Sequence, residues 1–192
     1  EVPRLISETF PQISCISYAR NQGKGKAVRT GMLAAEGEYL IFSDADNTFT
    51  PQHITTLIAK LKAGNSVAIA CRHSTNGQRI EGESWLRRLM GKCFNLLVQA
   101  ILLPGIKYSQ CGLKGFHYQA AREIFYRQRL NGFAFDVEVL TLARSLGYEI
   151  AELEVTAIDC NGSRVNPILA PAQMLVDLFR VKRALFFNAY AL

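Results

Sequence analysis

Hydrophobic and polar positions follow two periods along this chain, and the switches between them mark its elements. "ISCISYA" (13–19) alternates and is β-branched, which predicts a strand. "GKAVRTGMLAAEG" (25–37) carries alanine, leucine and methionine at helical spacing and stops at Gly37. "EYLIFSDAD" (38–46) is an apolar run that turns acidic, the pattern of a buried strand whose carboxyl end opens on solvent. "TPQHITTLIAKLKAG" (50–64) starts with a threonine cap and a proline in the first helical position. "SVAIACR" (66–72) is a further strand. Strands alternating with helices of this length predict an α/β domain, a largely parallel sheet flanked by helices.

The second half continues the pattern. "CRHSTNGQRIEGE" (71–83) reads as a loop, and "SWLRRLMGKCFNLLVQAILL" (84–103) as a long amphipathic helix stopped by Pro104-Gly105. "CGLKGFHY" (111–118) predicts a short strand or turn, "QAAREIFYRQRL" (119–130) and "AFDVEVLTLARSLG" (134–147) helices, and "YEIAELEVTAID" (148–159) a strand. "CNGSRVNP" (160–167) is a loop before a closing helix over 168–187. No repeat, low-complexity tract or linker interrupts the 192 residues, so residues 1–192 are expected to form one domain.

Composition narrows the partners. The net charge of +6 suits a phosphate-bearing ligand, an anionic membrane surface or nucleic acid, or serves solubility alone, so charge by itself does not pick a partner. An aromatic-and-basic stacking motif and a helix-turn-helix signal are both lacking, so nucleic acid is not expected. The five cysteines are odd in number, widely spaced and contain no C-x-x-C, which argues against a disulfide framework or zinc site and for reduced thiols. No secretory leader is evident, and the sequence opens on Glu1 rather than methionine. The longest apolar runs fall short of the roughly 18–20 residues of a membrane span. A soluble or peripheral protein is expected.

The chemistry concentrates where the second strand ends. Ligands of open α/β sheets bind outside the carboxyl ends of the strands. In an extended segment Asp44 and Asp46 point the same way. Two carboxylates so placed repel each other unless something positive sits between them, and a hard divalent cation wants such oxygen ligands. A D-x-D also arises where a strand simply ends in a turn. Its position after "YLIF" and before "TPQ" favours the metal reading. "GKGKA" (23–27) is not a P-loop, but its glycines permit a tight turn into the next helix. The helix N-terminus with Lys24 or Lys26 would then favour an anion; the alternative is a glycine turn with two solvated lysines.

The stretch N-x-G-K-G-x-A-V-R-x-G-x-x-x-A-x-G-x-Y-x-x-x-x-D-A-D, from Asn21 to Asp46, resembles the donor-site signature of family 2 glycosyltransferases with the GT-A fold. The branch it is most similar to is the polyprenyl-phosphate sugar transferases, the dolichyl-phosphate glucose and mannose synthases. "QCGLKGF" (110–116) resembles that branch's T-Q-C-G-F-K, and "GFAFDVEVL" (132–140) its W-A-F-D-V-E-L-L, which leans toward the glucose synthases. "NGSRV" (161–165) resembles its G-S-K loop, and "MLVDLFRVKR" (174–183) its closing helix.

The resemblance implies roles. Asp44 and Asp46 would hold Mg2+ or Mn2+ at the donor phosphates, with Asp46 the direct ligand and a catalytic residue. Asn21, Gly23, Lys24, Gly25 and Ala45 would frame the donor. Arg72 would contact phosphate, and Arg88 (in another register Arg87) would lie behind the acceptor site. Ser163 and Arg164 would sit on a loop closing over the diphosphate. Asp136, catalytic in this reading, and Glu138 come from the "FDVEVL" segment; one is expected to face the cleft and the other to cap or pair with a lysine.

The implied reaction is inverting, metal-dependent transfer of a hexose from a nucleoside-diphosphate sugar (UDP-glucose or GDP-mannose class) to a polyprenyl or dolichyl phosphate. The implied location is cytoplasmic, peripheral on the cytoplasmic face of a membrane. A soluble or polysaccharide acceptor, or a truncated domain that binds without catalysis, are the alternatives. The family's V-I-P-x-Y-N-E and V-D-D-G-S strands are missing, so the catalytic domain is expected to be incomplete at its N-terminus. Tyr108 and Gly115 also depart from the family pattern, which bears on acceptor or sugar choice.

Overall fold

A computed structural model describes residues 8–46, 48–72, 85–155 and 169–191. The elements in order are α1 (Lys24–Ala34), β1 (Tyr39–Ser43), α2 (Pro51–Lys62), β2 (Val67–Arg72), α3 (Trp85–Ile101), β3 (Leu113–His117), α4 (Tyr118–Arg127), α5 (Phe135–Ser145), β4 (Ile150–Val155) and α6 (Leu169–Phe186).

The four strands form one sheet in the order β1-β3-β2-β4. β1, β2 and β4 run the same way, as the α/β alternation predicts, and β2 pairs parallel with β4. β3 runs against them and lies between β1 and β2, so the sheet is mixed. Its insertion brings the start of β3 to the edge where β1, β2 and β4 end. Asp44, Arg72 and the exit from β4 therefore share one rim.

Alternation along β2 explains how both faces are covered. Val67 and Ile69 enter one apolar cluster with Leu40, Phe116, Phe125, Phe135 and Val139. Ala68 and Ala70 enter the other, with Leu57 and Leu61 of α2. Gly115 on β3 lies under α2: a Cβ there would come within 2.6 Å of Leu57 and 3.0 Å of Leu61. Its small size serves helix–sheet packing, which corrects the expectation that this departure bears on substrate choice.

The strand expected over 13–19 is not formed. These residues make no ladder with the sheet and are mostly exposed. Alternation supplies a strand's faces but not its hydrogen-bond partner, and among the described residues none is beside it. Tyr18 instead hydrogen-bonds Thr30 of α1.

Candidate functional site

β1 ends at Ser43, and the chain then bends so that Asp44 and Asp46 both line a cleft of about 350 Å³. The pleat alone would not carry this geometry past the strand end. One further ladder bond does: the Asp44 N–H donates to the Gly112 carbonyl at 2.9 Å. The cleft is also lined by Thr48, by Lys92 and Asn95 of α3, and by Tyr108 and Ser109 before β3.

The "QCG" glycine has a steric reason. A Cβ on Gly112 would stand 2.3 Å from Asp44 Oδ2 and 2.5 Å from its carboxyl carbon. Gly112→Ala is therefore expected to push Asp44 out of place. A displacement near 1 Å at a reacting centre costs on the order of 10²-fold in rate. Steady-state kinetics of the full-length protein check this, and unchanged turnover would show that Asp44 is not held there for catalysis.

Asp44 and Asp46 differ in surroundings. Lys24 Nζ lies 2.7 Å from Asp44 Oδ1 and 3.0 Å from Oδ2, with both side chains about one-third exposed (30% and 31%). A pair this accessible is worth at most about 1 kcal/mol and separates readily. Asp46 is exposed, and its Oδ1 accepts the Thr48 N–H at 3.0 Å. Hydrogen bonding from Thr48, helped by the Lys24 charge, holds the Asp46 carboxyl below its ordinary value. It is thus ionised through the neutral range and available to a cation.

The donor set fits a hard divalent ion. It consists of oxygen atoms on an open rim, with Thr48 and Ser109 nearby. Among the described residues no group of three His, Cys, Asp or Glu comes together, so two carboxylates leave the remaining positions to water or phosphate oxygen. That is the usual arrangement for magnesium, and manganese takes the same oxygen ligands.

The glycines of "NQGKGKA" are explained by close approach. Gly23 has φ 95° and its N–H donates to Asn21 Oδ1 at 2.8 Å. A Cβ at Gly25 would meet the Leu130 carbonyl at 2.5 Å and Phe135 Cβ at 2.6 Å. The Asn131 carbonyl accepts from Gly25 N at 2.8 Å and Lys26 N at 3.4 Å. The start of α1 is thus capped by a protein carbonyl, and of the two lysines Lys24 is the one turned to the acidic rim. Ala45 is exposed between the two aspartates.

Both acids of "FDVEVL" are turned inward. Asp136 is 4% exposed and its Oδ1 lies 2.6 Å from Lys114 Nζ, itself fully buried. Burial raises the Asp136 carboxyl, and the Lys114 ammonium opposes that shift. Lys114 Nζ also donates to the Cys111 carbonyl, so the pair braces the turn that carries Gly112. Glu138 accepts from Arg129 N at 3.1 Å, Leu130 N at 2.8 Å and the Tyr190 hydroxyl at 2.7 Å. Sequence reasoning expected one of these acids in the cleft. The structure gives one a lysine and the other the donors of the α4–α5 connection.

The backbone of Arg72 ends β2 on the Asp44 rim, opposite Val155 of β4. Arg88 lies in the first turn of α3, four residues before Lys92. Ser163 and Arg164 lie outside the described residues. Sequence reasoning missed Lys92, Asn95 and Ser109 as cleft residues; α3 read only as an amphipathic helix with no motif at Lys92 or Asn95, whereas Ser109 stands at the T of the branch's T-Q-C-G-F-K segment. Tyr108 was noticed as a departure, and it does line the cleft.

Among the described residues no helix is long and apolar enough to cross a membrane. The chain is 32% identical over 176 residues to a dolichyl-phosphate beta-glucosyltransferase of Dictyostelium discoideum, covering 88% of this chain and 54% of that protein. The human protein of the same name is 32% identical over 192 residues, covering 94% of this chain and 58% of the relative. The Saccharomyces cerevisiae one is 30% identical over 193 residues, again covering 94% and 58%. The chain thus spans little more than half the length of these relatives. Among solved structures, a Mycobacterium tuberculosis glucosyl-3-phosphoglycerate synthase in complex with phosphoglyceric acid superposes with a TM-score of 0.62 at 16% identity, covering 91% of this chain and 58% of that one. The same enzyme in complex with Mn2+, UDP-glucose and phosphoglyceric acid gives 0.61 at 15% identity, covering 92% and 59%. These likenesses show the GT-A-like fold. The sequence profile described as "Glycosyl transferase family 2" matches residues 3–125. The chain belongs to glycosyl transferase family 2.

Proposed function

We propose that this chain carries much of the catalytic domain of an enzyme that transfers glucose from UDP-glucose to a dolichyl or polyprenyl phosphate, with inversion. The observation that carries the reading is the pair Asp44 and Asp46 on one cleft at the strand ends, in a family 2 chain about one-third identical to dolichyl-phosphate beta-glucosyltransferases. UDP rather than GDP is favoured by the UDP-glucose that a structural neighbour binds, and Mn2+ or Mg2+ by the Mn2+ beside it.

Asp46 and Asp44 would hold the divalent ion. Bound there, the ion would offset the charge that develops on the departing nucleoside diphosphate. Lys24, released from Asp44, would turn its ammonium to a donor phosphate. Arg72, Ser163 and Arg164 are proposed to complete that phosphate site, with Asn21, Gly23, Gly25 and Ala45 shaping its wall. Arg88 and Lys92, one helical turn apart on α3, are proposed to face the acceptor phosphate. A phosphate acceptor is already anionic near neutral pH and needs little help from a base. Asp136 then acts as a positioning residue, through Lys114 and the Cys111 turn, rather than in proton transfer.

A membrane surface on the cytoplasmic side is the proposed setting. Val176, Phe179 and Phe186 of α6, with Phe187 after it, are exposed, and Arg180 and Lys182 flank them. Aromatic and aliphatic groups flanked by basic ones suit an interface with anionic headgroups.

The test is transfer by the full-length protein from labelled UDP-glucose and GDP-mannose to dolichyl phosphate and to soluble glycans. Glucose transfer to the lipid phosphate is expected. Transfer only to a soluble acceptor would overturn the reading.

A further inference from the structure

A second hollow, of about 380 Å³, lies on the other side of the first turn of α1. It shares no lining residue with the Asp44 cleft. Four cationic residues line it: Lys26 and Arg29 of α1, and Arg127 and Arg129 around the end of α4. None forms an ion pair with a carboxylate among the described residues. The buried Glu138 nearby already accepts two backbone N–H groups and the Tyr190 hydroxyl.

The guanidinium groups are oriented chiefly by carbonyls, and of the four cations Arg129 also feels the charge of the buried Glu138 carboxylate. Arg29 Nε donates to the Phe125 carbonyl at 2.9 Å and its Nη2 to the Tyr126 carbonyl at 3.1 Å. Arg127 Nη1 donates to Glu123 O at 3.0 Å. Arg129 donates to Ala189 O and stacks over Tyr190, 5.3 Å from the ring centre. Carbonyls fix direction but leave each positive charge in place, and four like charges on one concavity repel. Arg29 caps carbonyls in the last turn of α4, and the donors left over on these guanidinium groups can receive an anion.

Gln128 lines the same hollow and is 1% exposed. Its Nε2 serves the carbonyls of Gly25 at 3.0 Å and Leu130 at 2.8 Å. Its Oε1 is buried with no donor. A buried acceptor left unmade is costly, and this one is shut off from the hollow, so it marks strain in the wall rather than a ligand contact. Four cationic side chains on one concavity suit a compact, multiply charged anion, and a phosphomonoester group has that charge and the oxygens for guanidinium forks.

We propose that this hollow is a second anion site, separate from the donor cleft, that binds a phosphomonoester group. The group can belong to a free metabolite or to a lipid headgroup. The test uses the full-length protein in EDTA, so that no divalent ion recruits phosphate to Asp44 and Asp46. Glycerol phosphate is titrated calorimetrically, and phosphatidylcholine vesicles with and without phosphatidic acid are tested by flotation.

Arg127→Gln is the first variant, because its one hydrogen bond is to its own helix; Arg129→Gln is the second. Each is expected to weaken binding about tenfold or more, the effect of losing a charge-assisted hydrogen bond. Lys62→Gln on the distant α2 is expected to leave binding unchanged. Binding of glycerol phosphate identifies a free ligand, and binding of phosphatidic acid vesicles alone identifies a headgroup. The proposal is overturned if the wild type binds neither probe. It is equally overturned if folded Arg127 and Arg129 variants bind as the wild type does, or if Lys62→Gln weakens binding as much as they do. None of these readouts depends on glucose transfer.

Discussion

Asp46→Asn in the full-length protein is expected to lower turnover on the order of 10²–10³-fold, the usual cost of removing one group that stabilises developing charge. The fold should be untouched. Asp46 is exposed, and asparagine keeps the Oδ1 that accepts the Thr48 N–H. Surface changes of this kind stay within about 0.5 kcal/mol. Steady-state kinetics beside a thermal melt check both halves. The deficit should appear in kcat and kcat/KM together, since the interaction grows as the diphosphate leaves. An Asp46→Asn protein with near-normal, metal-dependent turnover would contradict the assigned site.

The second large effect is on stability. Asp136→Asn or Lys114→Met is expected to cost about 3–5 kcal/mol, because each leaves a buried charge without its partner. The pair is almost wholly buried, at 0% and 5% side-chain exposure, so solvent screens it little. Replacing both, as Lys114→Met with Asp136→Leu, should recover much of the loss. Urea unfolding of the two single variants and the double one tests this as a cycle. A single variant that costs less than about 1 kcal/mol would place the pair among ordinary surface bridges and remove its bracing role. Because Lys114 also holds the Cys111 carbonyl, Lys114→Met should loosen the turn beside Asp44 and lower turnover even where the protein remains folded.

Most of the architecture was legible in the sequence because most elements carry their own signals. Thr50 and Pro51 announce α2, and Thr50 N–H does find a first-turn partner, His53 Nδ1 at 3.2 Å. The short apolar run Val67–Ala70 announces a strand, and the structure sends its two faces into the two apolar clusters. What local pattern could not carry was pairing. Nothing in "LKGFH" says that β3 runs antiparallel between β1 and β2, and nothing in "ISCISYA" says that no partner strand stands beside it. The site divided in the same way. Asp44 and Asp46 were found from their place at a strand end. The two acids of "FDVEVL" could not be oriented, because their burial depends on a lysine and a hydroxyl 22 and 52 residues away.

Tight glycines proved more informative than their ease of turning suggests. Gly25 admits the Leu130 carbonyl, and Gly112 admits the Asp44 carboxylate. Gly112 sits where a side chain would collide with the rim that the donor is proposed to occupy, and Gly25 where one would collide with the α4–α5 connection. Glycine is then a packing requirement of the site.

The most direct test is diffraction from crystals of the full-length protein soaked with Mn2+ and UDP-glucose, using the anomalous signal of manganese. A peak about 2.1–2.3 Å from a carboxylate oxygen of Asp46 is expected, the usual metal–oxygen range. A diphosphate oxygen should share the ion, and Lys24 should have left Asp44. Manganese bound elsewhere, with Lys24 still bridging both oxygens of Asp44 and the nucleotide away from this rim, would contradict the account.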